Sequence, residues 1–212
     1  MMSGNATSRL VWRWLRPGLS GLLLGFLLGG GGAEAAVPES GAPTLETLFA
    51  RLAERRDTCV RFVEVKHMSL LTQPLRLEGT LEFRPPDTLA KHVEKPVTED
   101  YVIEQGQVRV SKPGQGEQVT LALRDLPPLE AFAESLRAPL AGDLEALRRY
   151  WQPSLGGSWR HWLLALTPLR PELSGLIRSV TLEGEGDRLT RMTLEETGGD
   201  RSTLSFQSIP KP

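Results

Sequence analysis

The stretch Leu75–Arg84, LRLEGTLEFR, alternates residue by residue. Leu75, Leu77, Leu81 and Phe83 share one parity with Gly79, while Arg76, Glu78, Thr80, Glu82 and Arg84 take the other, and Pro85-Pro86 ends the run. Successive side chains of an extended chain point to opposite faces. The stretch therefore satisfies both sets only as a strand with one face on an apolar interior and the other in water. That arrangement is characteristic of an antiparallel sheet.

The same period recurs along the chain. Residues 60–68 (VRFVEVKHM) read as a strand with Val63 and Val65 on one face, although Phe62 falls on the other. TLAKHVEK at 88–95 follows, then a hairpin, EDYVIEQGQVRVSK, turning at Gln105-Gly106. QVTLAL brings Val119, Leu121 and Leu123 onto one side, and SWRHWLLALTP does so for Trp162, Leu164 and Leu166. A second hairpin, SVTLEGEGDRLTRMTLEET, turns across Gly184 to Asp187, and GGDRSTLSFQSI ends with Leu204 and Phe206 on one face. With 21 Gly and 16 Pro to supply turns, the pattern predicts about ten sequential antiparallel strands.

Two segments carry helical spacing instead. In TLETLFARLAERRD, Leu45, Leu48, Phe49 and Leu52 form one stripe. Thr44 can cap it, but Thr47 stands where a capping-box Glu would be, so the box reads as incomplete. In LPPLEAFAESLRAPLAGDLEALRRYW the stripe is Leu129, Phe132, Ala133, Leu136 and Leu140. Pro139 and Gly142 are expected to break it, and Asp143 to cap a second short helix. The fold class is thus α+β, one wide antiparallel sheet with few helices.

Residues 1–35 combine Arg9, Arg13 and Arg16, the apolar run LSGLLLGFLLGGGG and the small-residue site AEA. This is the grammar of a secretory signal peptide cleaved after Ala35, which places the protein in the periplasm. Its removal takes away three arginines and one glutamate and moves the formal charge from −1 to −3. Residues 36–43 read as a linker and residues 44–212 as one domain. A near-neutral chain carries no electrostatic footprint for nucleic acid. Cys59 is the single cysteine, so no internal disulfide is available; it reads as a small buried hydrophobe.

No catalytic constellation emerges. His67, His92 and His161 have no partner at metal-ligand spacing, so neither metal nor cofactor is expected. Glu64, Glu78 and Glu82, near Lys66, Arg76 and Arg84, read as cross-strand pairs on a solvated face. The glycines of GEGD and TGGD sit at hairpin turns and open no helix, as a phosphate loop must.

The apolar face itself is the remaining feature. A twisted sheet of about ten strands curls. Two helices, each roughly 10–12 Å across, cover only part of its concave side at a strand spacing of about 4.8 Å. Patterning leaves two readings open: a close-packed core, or an incompletely filled apolar cavity under a helical lid.

RFVEVKHMSLLTQPLRLEGTLEFRPPDTL, HVEKPVTEDYVIEQGQVRV, HWLLALTPL and MTLEETGGDRSTLSF, in this order, resemble the periplasmic outer-membrane lipoprotein carrier family, LolA-like proteins, over Leu45 to Ile209. The likeness is to a divergent branch. It implies an unclosed antiparallel half-barrel with a helical lid, whose concave face holds acyl chains of a cargo crossing the periplasm. On that resemblance the cavity comprises Val63, Val65, Leu77, Leu81, Phe83, Leu121, Leu123, Trp162, Leu164, Leu166, Leu204 and Phe206. The lid comprises Leu129, Phe132, Leu136 and Leu140, hinged at Pro139–Gly142. The implied function is non-catalytic. The cargo is a lipidated protein or a lipid-like small molecule, received by a monomer from an inner-membrane donor and passed to an outer-membrane acceptor. An adaptor domain binding a protein partner and an enzyme acting on a lipophilic substrate are the alternatives on this scaffold. Family members place an inward-facing arginine before the proline; here strand parity turns Arg84 outward and leaves the inward slot to Pro85.

Overall fold

The computed structural model describes residues 41–55, 59–114 and 116–209. The expected signal peptide and most of the expected linker lie outside the described residues. Eleven strands form one antiparallel sheet: β1 Cys59–His67, β2 Leu75–Arg84, β3 Thr88–Lys95, β4 Glu99–Glu104, β5 Gln107–Lys112, β6 Glu117–Ala122, β7 Trp151–Ser158, β8 His161–Pro168, β9 Ile177–Glu185, β10 Arg188–Glu196 and β11 Arg201–Ser208. Their spatial order is β6-β5-β4-β3-β2-β1-β11-β10-β9-β8-β7. The edge strands β6 and β7 each have one neighbour, so the sheet is an unclosed half-barrel.

This order corrects the expectation of a single sequential meander. Two meanders, β1–β6 and β7–β11, are joined through the pairing of the first strand with the last, Phe62 opposite Phe206 and Glu64 opposite Leu204. The helical insert between β6 and β7 carries the chain from one edge of the sheet to the other. β7 is the additional strand. Pro153, Gly156 and Gly157 hide it from period-two reading, and its edge position is where a proline is tolerated.

Helix α1 spans Leu45–Glu54 and buries Leu48, Phe49 and Leu52. Its capping box is complete after all. The Thr47 amide donates to Thr44 Oγ1 at 3.2 Å and the Thr44 amide to Thr47 Oγ1 at 2.9 Å, so a threonine hydroxyl serves where a glutamate usually does. After a short 3₁₀ turn, Leu123–Asp125, helix α2 runs from Pro127 to Ala141. It does not break at Pro139, which sits in its last turn; it ends at Gly142, whose φ of 74° glycine adopts without strain. The Asp143 carboxylate accepts from the Ala146 amide at 2.8 Å and caps α3, Leu144–Arg148. A single turn, α4, covers Pro171–Ser174. No helix among the described residues is long and apolar enough to cross a membrane.

The helices lie on one face of the sheet, and the core is the layer between. Leu77, Leu89, Trp162, Leu164, Leu166, Val180 and Met192 from the sheet are buried together with Leu48, Leu136 and Leu147 from the helices. Trp151 anchors α2 directly: its Nε1 donates to the Ala131 carbonyl at 3.0 Å.

Candidate functional site

β2 has the orientation its alternation demands. Leu77, Gly79, Leu81 and Phe83 are buried, and Arg76 and Arg84 are exposed on the outer face. Arg84 pairs there with Glu82 at 3.4 Å, and Glu78 is held by Arg76 at 3.0 Å and Lys95 at 3.2 Å. The strand ends at Arg84, so Pro85 takes no inward position; it lies exposed in the following turn.

On β1 the expected faces are exchanged. Val63 stands opposite Glu78 and Ser205, and Val65 opposite Arg76 and Thr203; both therefore belong to the outer face. Phe62, Glu64 and Lys66 face inward and are buried. This corrects both the cavity assignment of Val63 and Val65 and the solvated assignment of Glu64 and Lys66. Val65 could face inward only if Arg76 and Thr203 did so as well, and the apolar parity of β2 forbids that.

The inward charges form a network around Glu64. Lys91 Nζ lies 2.5 Å from Glu64 Oε2 and Lys66 Nζ 3.4 Å from Glu64 Oε1, while the Ser202 hydroxyl donates to Glu64 Oε1. Burial alone would raise the Glu64 pKa, but Lys66, Lys91 and the Ser202 hydroxyl outweigh it and bring the carboxyl down to about 2. For Lys66 burial prevails over the attraction of Glu64, and Lys91 adds repulsion; its pKa falls to about 8. Lys91 Nζ also sits 5.0 Å from the centre of the Phe62 ring. On β4, the Tyr101 hydroxyl donates to the buried Glu99 at 2.5 Å.

Beyond Phe62 the interior opens. A cavity of about 350 Å³ lies where β1, β2, β10 and β11 pass beneath α1 and the end of α2. Val60, Leu81, Phe83 and Phe206 line it from the sheet, and Leu52 and Leu140 from the helices. The β9–β10 turn contributes Asp187 at the rim and the start of β10 contributes Arg188 and Leu189; Arg55, the residue that ends α1, lines it too. Arg55 Nη1 is 3.4 Å from Asp187 Oδ1. Two contacts brace the neighbourhood. Trp162 Nε1 donates to the Gly186 carbonyl at 3.0 Å, and the Arg51 guanidinium lies 4.2 Å from the centre of the Trp159 ring.

Of the residues expected to form the cavity, Leu81, Phe83 and Phe206 line this space, and Leu140 does so from the expected lid. Leu77, Trp162, Leu164, Leu166 and Leu204 point to the same side of the sheet but are buried in packed core. Leu123 is buried in the 3₁₀ turn instead of a strand, and Leu121 is half-buried on the edge strand β6. Leu129, Phe132 and Leu136 are buried beneath α2. Sequence reading missed Leu52, Val60, Leu189 and the charged rim, because residues from segments far apart in the chain converge there. Cys59, expected to be buried, is exposed at the start of β1. His92 pairs with Asp100 at 2.7 Å and His161 with Glu183 at 3.7 Å. Among the described residues no group of His, Cys, Asp and Glu could hold a metal ion.

Residues 35–205 match the family model described as outer membrane lipoprotein carrier protein LolA-like. The chain belongs to this family. Among solved structures it is similar to the LolA superfamily protein NE2245 from Nitrosomonas europaea. The identity is 12% and the TM-score 0.43, with 81% of this chain and 96% of that one covered. It is also similar to LprF from Mycobacterium bovis, at 15% identity and TM-score 0.33, over 81% and 97% of the two chains. A third similar structure is that of the CwlD amidase from Clostridioides difficile in complex with the GerS lipoprotein, at 13% identity and TM-score 0.42, over 82% and 100%. No curated protein matches the chain.

Proposed function

We propose that the protein is a periplasmic, non-catalytic carrier that holds a lipidated or otherwise hydrophobic cargo in the cavity beneath α1 and passes it toward the outer membrane. The observation that carries this reading is the apolar space of about 350 Å³ between Leu52, Leu81, Phe83, Leu140 and Phe206 in a member of the lipoprotein-carrier family. Close packing is the rule in protein interiors, and a cavity of this size falls among small-molecule sites of roughly 300–1,000 Å³.

The energetics suit a carrier. Each buried methylene is worth about 0.8 kcal/mol, so a chain of roughly fourteen methylenes gains about 11 kcal/mol on leaving water, in a protein or in a bilayer alike. A cavity that matches the bilayer without exceeding it lets cargo move onward with no nucleotide or metal. In this reading residues 1–35 are a signal peptide cleaved after Ala35, residues 36–43 a linker, and residues 44–212 one monomeric carrier domain. An inner-membrane donor loads it and an outer-membrane acceptor unloads it.

The test is extraction of the protein purified from its own periplasm. Solvent extraction followed by mass spectrometry is expected to release a lipid-like molecule in stoichiometric amount. An empty extract, together with no uptake of a fluorescent fatty-acid probe, would overturn the reading.

A further inference from the structure

We propose that the cavity is built for a single acyl chain with an acidic head group, and that Arg55 reads the head. This rests on the carrier reading and narrows its cargo. An apolar cavity of roughly 150 Å³ takes a six-carbon ring, so about 350 Å³ accommodates roughly fourteen carbons. One medium-length chain fits. A lipoprotein anchor with several acyl chains needs a multiple of that volume.

The rim supplies the head-group chemistry. The charged groups among the described lining residues are Arg55, Arg188 and Asp187, two cations and one anion. Arg55 is mostly covered, with 21% of its side chain exposed, whereas Asp187 is 53% exposed. Their single contact of 3.4 Å is long for a charge-assisted hydrogen bond, and such pairs at a surface contribute little. Arg188 is about half-exposed and, among the described residues, pairs with Glu185 at 3.7 Å. A guanidinium binds a carboxylate best through two parallel N–H donors. A carboxylate tethered to a chain already in the cavity is held at high effective concentration beside Arg55 and displaces Asp187, which swings to solvent. Leu81, Phe83 and Phe206 take the chain. A cationic head meets two guanidinium groups, and a neutral head gains no comparable bond.

The experiment uses the delipidated mature protein and displacement of a fluorescent fatty-alcohol probe by four competitors: tetradecanoate, 1-tetradecanol, tetradecyltrimethylammonium and a triacylated lipopeptide. Tetradecanoate is expected to bind at least about tenfold more tightly than the alcohol, the usual scale of one charge-assisted contact. Arg55→Gln removes that difference by weakening the acid, and an unfolding midpoint near that of the parent reports that the variant is folded. Asp187→Asn tightens the acid alone. Equal affinity for acid and alcohol overturns the proposal, as does an Arg55→Gln variant that keeps the preference for the acid. Tight binding of the lipopeptide without binding of tetradecanoate overturns it while the carrier reading stands. If neither the probe nor any competitor binds, the carrier reading falls with it.

Discussion

Lys91 of β3 and Glu64 of β1 meet at 2.5 Å across the inward face of β2, which lies between their strands, each almost wholly shielded from water. A carboxylate in that position is tolerable only because Lys66 and Ser202 fill its remaining hydrogen-bonding capacity. Removing it leaves two buried ammonium groups facing each other. Glu64→Gln is therefore expected to cost about 3–5 kcal/mol, the usual penalty for breaking a buried ion pair. Urea unfolding checks the value. Replacing the set together, as Glu64→Gln with Lys66→Met and Lys91→Met, is expected to recover part of the loss: the two ammonium groups left without Glu64 are gone, while the buried Glu196, which attracts Lys66, stays. A Glu64→Gln variant within 1 kcal/mol of the parent would show that the three charges do not act as one unit.

The two ends of the pH scale read this network separately. Glu64 has a folded pKa of about 2 against an ordinary value of 4.5. The folded state thus binds fewer protons than the unfolded state as pH falls from 4.5. The stabilisation is complete above pH 4.5 and drains away toward pH 2, with an amplitude of about 3 kcal/mol. Lys66 has a folded pKa of about 8 against 10.5. Between those values the unfolded state holds a proton that the folded state has lost, so stability rises with pH across the window, again by about 3 kcal/mol. The stability difference between the parent and Lys66→Met isolates this contribution. It should change with pH between 8 and 10.5; a flat difference would refute the assignment.

Legibility followed locality. The alternation in Leu75–Arg84, the hairpin at Gln105-Gly106 and the Asp143 cap are written within ten residues each, and the structure has them in place. β1 misled because it is apolar on both parities: Val63 and Val65 compete with Val60 and Phe62, and only its pairing with β2 decides between them. Glu64 and Lys66 share the losing parity by composition and the winning one by register. β7 was invisible for the opposite reason, since Pro153 and two glycines erase the period that an edge strand does not need. The pairing of β1 with β11 and the meeting of Arg55 with Asp187 span well over a hundred residues and have no local signature. The charged rim of the candidate site lay in that category.

Gly79 permits a backbone approach that no other residue could. A Cβ there would lie 1.9 Å from the His92 carbonyl oxygen and 3.1 Å from Phe62 Cε1, at the point where the β2–β3 register shifts between Glu78 and Gly79. Gly79→Ala must push β3 away or twist β2, and is expected to cost about 3 kcal/mol, the upper range for overpacking. Gly156 provides the control. An added Cβ there meets nothing within 4 Å, so Gly156→Ala is expected to fall within about 0.5 kcal/mol of the parent. Thermal unfolding of the two variants side by side checks both values, and equal midpoints would contradict the close approach at Gly79.

Val60 separates the cavity from the fold that surrounds it. It lies on the inward face of β1 between Leu81 and Ser208, lines the cavity and is only half-buried. A larger side chain there enters open volume instead of packed core, so Val60→Trp is expected to leave the unfolding midpoint near that of the parent. An indole adds several carbons to a space that holds roughly fourteen by the scale of a six-carbon ring in about 150 Å³. Uptake of a fluorescent fatty acid is then expected to fall about tenfold or more, because a chain shortened by two buried methylenes forfeits about 1.6 kcal/mol. Leu77→Ala makes the reverse comparison. It removes a fully buried side chain from packed core outside the cavity, so it should lower stability by about 2–5 kcal/mol while affinity for the probe is retained. If Val60→Trp binds the probe as well as the parent, the ligand does not occupy the space beneath α1, and the cavity assignment fails with the fold intact.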